Sequence, residues 1–291
     1  MKGNEKTQDP GKWVEGIIRD FINHSPENTV KNPANDKAWD DPLVGFSRGD
    51  DPIYQLYKEE AVGPFHWTPL EVFKLAFPHL DAGAGDLTVI SYILPQMEKA
   101  KSDLRRETIF PSESWTRARI FGEEVNVKLR KHVVDSLRAA GVEAVAPMLF
   151  PEWGRRLSPR FGFASTWSER HAAHASGLGT FGLCGGLITK KGKAVRLGSL
   201  VVRARIPPTE RPYSGPFDHC LYLSRGLCGL CVVRCPVGSV SRERRDKPAC
   251  SRHLRPRSEK YVREHYGFEG YACGLCQTGV PCESGLPGDN Y

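Results

Sequence analysis

One stretch constrains this chain more than any other: Cys228-Gly-Leu-Cys231-Val-Val-Arg-Cys235-Pro236. Eight of the nine cysteines fall between Cys220 and Cys282, and Cys184 stands alone upstream. The eight are Cys220, Cys228, Cys231, Cys235, Cys250, Cys273, Cys276 and Cys282. The spacing C-x2-C-x3-C-P is close to a run that binds four-iron clusters, and eight thiolates are the number that two such clusters need. In two-cluster proteins the cysteine before the proline ligates the other cluster. That rule assigns Cys220, Cys228, Cys231 and Cys282 to one centre. Cys235, Cys250, Cys273 and Cys276 fall to the second. The x2 gap lets two thiolates face one cube from a single turn, and Pro236 ends that turn because it has no backbone N–H.

Two other readings of the cysteines compete. Paired C-x2-C units also hold structural zinc, and cysteines of exported proteins form disulfides. Zinc explains neither the count of eight nor the C-x3-C-P ending, and no histidine lies at zinc-finger spacing from them. Disulfides require export, and the opening MKGNEKTQDPGKW has no apolar signal core. No run approaches the ~20 apolar residues of a membrane span. A soluble, cytoplasmic protein is the expectation. The 41 Lys and Arg outnumber the 34 Asp and Glu, for a formal charge of +7. Each cluster with its thiolates carries about −2, which would bring the total to about +3. Much of the basic excess can therefore balance buried cluster charge, and it points only weakly to nucleic acid.

Taken in order, the first ten residues are polar and are expected to fray. Trp13, Ile17, Ile18 and Phe21 recur at helical spacing and predict a helix over 11–23. Residues 24–53, rich in Pro, Asn and Asp, read as loop. Thr68-Pro69-Leu70-Glu71 is a capping box opening a helix to about Phe77. The stretch LTVISYIL at 87–94 reads as a buried strand. Val125, Leu129, Val133 and Leu137 form the stripe of a helix over 122–140, which Gly141 ends. A strand over 142–149 follows. A second capping box, Thr166 to Glu169, opens a helix that Gly177 stops. Strands near 185–190 and 196–205 are joined by a turn at Lys191-Gly192. The stretch PPTERPYSGP marks a domain boundary near residue 207. The division is therefore 1–206 and 207–291.

Other candidate chemistry is sparser. Gly177-Leu-Gly179-Thr180-Phe-Gly182 matches G-x-G-x-x-G, but it closes a helix and leads into a strand, the reverse of a dinucleotide site. It reads either as a turn needing positive φ or as a place where backbone approaches a large flat cofactor. His171 and His174 share a helix face and are candidate proton donors, as is Tyr92 in its apolar strand. Each has a bland alternative, a satisfied histidine or a core tyrosine. Cys184 reads as a buried structural thiol. The segment 242–263 carries Arg242, Arg244, Arg245, Lys247, Arg252, Arg255, Arg257, Lys260 and Arg263, with Tyr261 and Tyr266 interleaved. It could grip RNA, with the tyrosines as stacking platforms, balance the clusters, or dock an acidic electron donor.

The order of HAAHASGLGTFGL, GLITKKGKAVRLGSLVV and the cysteine module, together with ARIFGEEVNVKLRKHVVDSLRAAG, resembles the epoxyqueuosine reductase and reductive dehalogenase superfamily over roughly residues 86–291. The resemblance implies an α/β (α+β) chain: a nitroreductase-like cobalamin-binding domain followed by a ferredoxin-like domain with two 4Fe-4S clusters. It implies base-off cobalamin lying against Gly177, Gly179, Thr180 and Gly182, and an acid drawn from Tyr92, His171 and His174. It further implies an enzyme that reductively cleaves a carbon–halogen or carbon–oxygen bond in a small molecule, supplied by a ferredoxin- or flavodoxin-type donor. An electron carrier without its own substrate and a tRNA-modifying reductase are the alternatives. The stretch FGFAST carries no carboxylate where epoxyqueuosine reductases place a catalytic aspartate.

Overall fold

The computed structural model describes residues 9–158, 160, 162–243 and 245–288. Most of the expected frayed N-terminus and Arg244 of the basic segment lie outside the described residues. The main lobe runs α1 (Pro10–His24), β1 (Leu43–Arg48), α2 (Ile53–Leu56), α3 (Pro69–Ala76), β2 (Thr88–Pro95), α4 (Glu98–Arg105), α5 (Glu113–Ala139) and β3 (Ala144–Val145). It continues through β4 (Arg155–Ser158), β5 (Gly162–Ser165), α6 (Glu169–Ala175), β6 (Gly179–Phe181), β7 (Leu187–Thr189) and β8 (Val195–Val202). The cysteine-bearing end holds four short helices: α7 (Leu221–Arg225), α8 (Leu230–Val233), α9 (Lys247–Arg252) and α10 (Glu259–Tyr266).

A four-stranded sheet, ordered β1-β2-β8-β3 and antiparallel throughout, organises the main lobe. Side chains alternate across its strands. Ile90, Tyr92, Leu94, Leu200 and Val202 face α1 and α5, meeting Val14, Ile18 and Ile22 of α1 and Val125, Leu129, Val133 and Leu137 of α5. Val89 and Val201 face the other way, towards Val72 and Phe73 of α3 and Ala172 and Ala175 of α6. The mixed α+β class expected from the sequence is the class observed.

Several elements differ from the sequence expectations. The supposed loop over 24–53 contains β1, whose Phe46 pairs with Ile90 of β2. The strand expected over 142–149 is two residues of β3 followed by a 3-10 turn, Pro147–Leu149, because Pro147 cannot donate to a ladder. Helix α5 begins nine residues before Gly122, with Ser112 as its N-cap. Gly122 is a packing glycine and not a helix start. A Cβ there would meet Cζ2 of Trp39 at 2.6 Å, and the Trp39 indole donates to the Gly122 carbonyl at 2.9 Å. The hairpin of β4 and β5 was not expected at all.

Strand β3 covers only Val201 and Val202 of β8, so the rest of that edge needs other partners. Asn126 and Arg130 of α5 supply them, donating to the Leu197 carbonyl at 3.0 and 3.1 Å. Arg130 is buried and is ion-paired to Glu123 at 3.0 Å and to Glu169 at 3.2 Å.

The composition boundary near residue 207 is not a break in packing. Thr209 exchanges hydrogen bonds with Phe46 of β1, and the Phe181 amide donates to the Pro216 carbonyl. Leu104 and Trp115 of the main lobe share an apolar cluster with Ala272 and Leu275. Between Cys231 and Cys235, Arg234 donates to the carbonyls of Leu104 and Glu107 on one side and of Leu275 and Thr278 on the other, all at 2.9–3.2 Å.

Candidate functional site: two cysteine-lined cavities

Local backbone geometry sets the thiols. Cys220 caps α7, Cys231 lies within α8, and Cys250 lies within α9. Cys228 has φ 74°, uncommon for a residue with a side chain. Cys273 and Cys276 flank Gly274, whose φ of 98° and close contact with Trp115 exclude any side chain. These turns bring Cys235, Cys250, Cys273 and Cys276 to line one cavity of about 270 Å³. Cys220, Cys228, Cys231 and Cys282 line a second, of about 20 Å³.

The donor set is eight thiols and nothing else in these two quartets. Among the described residues, no three Cys, His, Asp or Glu side chains converge tightly enough to hold a single metal ion. A tetrahedral zinc site needs sulfurs about 3.8 Å apart, from its Zn–S length of about 2.3 Å. A four-iron cube needs them spread, one to each iron. Four thiols line each cavity, the number a four-iron cube needs, one to each iron. Backbone amides also point at sulfur. The Cys235 thiol is drawn below its ordinary value; burial opposes this and is outweighed by the Ser239 hydroxyl and the amides of Val237, Val240 and Ser239. Burial raises the Cys273 thiol to about 11.

Cys184 is buried, as a structural thiol would be, but it sits between the quartets. Its thiol lies beside Cys231 and Cys276, which pull it well below the ordinary range with help from the Lys193 ammonium. Lys193 Nζ stands 3.5 Å from Cys184 Sγ and is itself buried. Burial disfavours its charge, but the sulfurs of Cys184, Cys282, Cys231 and Cys276 more than offset that. Sequence reasoning passed over this lysine. The only signal was its place in the turn LITKKGKAV.

The glycine turn contacts its own chain. A Cβ on Gly177, which has φ 76°, would meet the Glu210 carbonyl at 2.5 Å, and one on Gly179 would overlap the Ile188 carbonyl. The Thr180 hydroxyl accepts from the His219 amide at 2.9 Å. Gly182 borders the smaller cavity, but Gly177, Gly179 and Thr180 border neither. Gly179, Thr180 and Gly182 are buried, and the close approaches that Gly177 and Gly179 make are to the chain's own backbone.

The three expected proton donors are not brought together. Tyr92 points to the α5 side of the sheet, fully buried, and donates to Asn126 Oδ1 at 2.8 Å. Burial raises its phenol pKa. His171 and His174 lie on α6, across the sheet, in an aromatic cluster with Tyr57, His66 and Phe181. His174 Nδ1 meets the Tyr57 hydroxyl at 2.5 Å, while its Nε2 has no partner. His171 Nδ1 meets Ser168 Oγ at 2.8 Å. Burial depresses all three histidines: His66 and His174 to about 4, and His171 well below its ordinary value with the nearby cations adding. They are neutral imidazoles at pH 7. His66, set in the loop Phe65-His66-Trp67, was missed from sequence, which offers no periodicity there.

The interleaved tyrosines of the basic segment are already engaged. Tyr261 is stacked against Phe110 at 4.2 Å and His265 at 4.0 Å. Tyr266 donates to the Pro111 carbonyl at 2.7 Å. Tyr261, stacked on both Phe110 and His265, offers no open ring face of the kind a base would need. Arg245 and Arg255 of that segment line the larger cavity. No helix among the described residues is long and apolar enough to cross a membrane.

No family model matches the chain, and no curated protein matches it. Solved structures do resemble it in fold. An epoxyqueuosine reductase from Bacillus subtilis is 17% identical over 96% of this chain and 68% of that one, with a TM-score of 0.45. An epoxyqueuosine reductase solved with a tRNA-Tyr epoxyqueuosine-modified stem loop has the same identity and coverage and a TM-score of 0.48. A catabolic reductive dehalogenase solved with 3-bromo-4-hydroxybenzoic acid is 14% identical over 95% of this chain and 37% of that one, with a TM-score of 0.48. The chain spans 64–68% of the epoxyqueuosine reductases' length and well under half of the dehalogenase's, and at these identities the likeness is one of fold alone.

Proposed function

We propose that this chain is an iron–sulfur reductase with two four-iron clusters, one in each cysteine quartet. It would take electrons from a ferredoxin- or flavodoxin-type donor and reductively cleave a carbon–halogen or carbon–oxygen bond in a small molecule. The carrying observation is the separation of eight thiols into two cavities, four to each. When bound, the clusters supply one-electron transfer at low potential. The protein's own contribution is to hold the thiols, aim amides at Cys235 and place Lys193 between the quartets. Exposed Leu223, Leu227, Leu230 and Val233, on and beside α7 and α8, support entry of electrons from a protein donor at the smaller quartet. The larger quartet, which opens between the lobes, is then the exit.

The approaches of Gly177 and Gly179 to Glu210 and Ile188 lend no support to a corrin at that turn, so no corrin step is part of this reading. Nor does the structure favour tRNA modification over a small substrate, since Tyr261 and Tyr266 are spent internally. The test is metal analysis of protein purified without oxygen. About eight irons and eight sulfides per chain are expected. Colourless protein carrying zinc, or oxidised to disulfides, would refute the reading. Cobalt measured in the same sample decides the corrin separately: about one per chain would show that it binds, and none would remove it.

A further inference from the structure

The larger cavity has a second character besides its four cysteines. Five arginines line it: Arg119 from α5, Arg155 from β4, Arg196 from β8, and Arg245 and Arg255 from the cysteine-bearing end. No Asp or Glu lines it. Glu123 engages Arg196 at 2.7 Å and leaves the other four guanidinium groups without a carboxylate in the wall. Tyr271 positions two of them. Arg255 donates to its hydroxyl at 2.6 Å, and Arg119 and Arg255 lie 5.5 and 4.5 Å from its ring centre. A cluster with its thiolates would carry about −2, leaving a surplus of about two positive charges. Arg155 and Arg255 are exposed and Arg119 and Arg245 half-buried, so this surplus is within reach of an anion arriving from solvent.

An independent observation concerns unmet hydrogen bonds. Gln96 Oε1, Arg245 Nε and His253 Nδ1 are buried atoms without a partner, and all three residues line this cavity. Gln96 and His253 are 6% and 3% exposed. His253 Nε2 lies 3.1 Å from the Ile109 carbonyl, so it carries the proton and leaves Nδ1 as an acceptor. Gln96 Oε1 is also an acceptor. Both call for a ligand hydroxyl or amine.

We propose that this cavity is the substrate pocket, and that its substrate is a small molecule bearing a doubly charged oxyanion, a phosphate ester or a dicarboxylate, together with a hydroxyl or amine donor. The guanidinium forks take the oxyanion; Gln96 and His253 accept from the donor group. The proposal rests on the two-cluster reading, which supplies the charge count, and it extends that reading by naming the substrate class.

The test is calorimetric titration of the anaerobic, iron-loaded protein with inorganic pyrophosphate and, separately, with malate. Iron content is determined on every sample. Stoichiometric binding of either probe is expected, and which one binds distinguishes phosphate from carboxylate. Arg119→Gln and Arg255→Gln should each weaken it about tenfold or more. Arg203→Gln, on the distant pair with Glu143, should change nothing. Arg255→Lys should fall between Arg255→Gln and the parent, because it keeps the charge and loses the fork. Protein with eight irons that binds neither probe overturns the proposal and leaves the two-cluster reading standing. Protein without iron overturns both. Binding that is indifferent to Arg119 and Arg255, or an RNA stem loop that uses those arginines while neither probe binds, also overturns it.

Discussion

The buried histidines make a quantitative prediction about acid. His66 and His174 have ordinary values near 6.5 when unfolded and about 4 when folded. A depressed base binds its proton in the unfolded chain first. Stability is therefore fully present above pH 6.5 and is lost as pH falls through about 4. Each histidine costs about 3 kcal/mol over that window. His171, depressed in the same direction, adds a third. Glu169 has the opposite sign: burial raises it to about 7 against the pull of Arg130 and Ser199. It takes its proton in the folded state first, so its contribution grows as pH falls from 7 towards 4.5. Counting His66, His174 and Glu169, the unfolded chain holds about one proton more near pH 5.5, a loss of about 1.4 kcal/mol per pH unit, which His171 steepens further. Urea unfolding of anaerobic protein, followed by tryptophan fluorescence at pH 7.5, 6.5 and 5.5, measures this slope. His174→Phe should make it shallower by about 1.4 kcal/mol per pH unit, and Glu169→Gln should steepen it by the same amount. A slope untouched by His174→Phe would refute the reasoning and return that histidine to the list of proton donors.

Three further outcomes are expected. Cys235→Ser and Cys282→Ser should each lower iron from about eight to about four per chain, removing different signals in the reduced electron paramagnetic resonance spectrum; loss of the same signal from both would break the division into quartets. Gly274→Ala must place a methyl group against Trp115 at φ 98°, and should cost about 2–4 kcal/mol in urea unfolding. Arg234→Met leaves carbonyls of both lobes unpaired and should cost about 3 kcal/mol or more by the same measurement, with iron lost from the quartet containing Cys235 at moderate urea.

The periodic parts of the fold were legible in advance. Val125, Leu129, Val133 and Leu137 marked α5, and the LTVISYIL run marked β2, because burial on one face leaves a period in the chain. Thr68 and Glu71 formed the capping box that their spacing announced. What escaped was set by tertiary contact. Gly122 read as a boundary because its reason, the Trp39 ring, lies more than eighty residues away. β1 has too weak an alternation to stand out from a Pro- and Asp-rich stretch, and only its pairing with β2 makes it a strand. At the site, the cysteines carried their spacing with them. Lys193, His66, Arg119, Arg155 and Arg196 did not, since they come together from segments with no common motif. At the glycine turn the positive-φ reading is borne out at Gly177, and the close approach there is to the chain itself.

Arg234 occupies the three-residue gap between a thiol of one quartet and a thiol of the other, and it is clamped by carbonyls from both lobes. A guanidinium held at that gap acts as a gauge block. The separation of the two quartets is then set by the end of α4 together with the cysteine loops, and not by those loops alone. Grafting residues 207–291 onto another scaffold would carry over every thiol yet leave behind the carbonyls of Leu104 and Glu107 that fix their spacing. The smallest transplantable unit that keeps both quartets in place therefore includes part of the larger lobe.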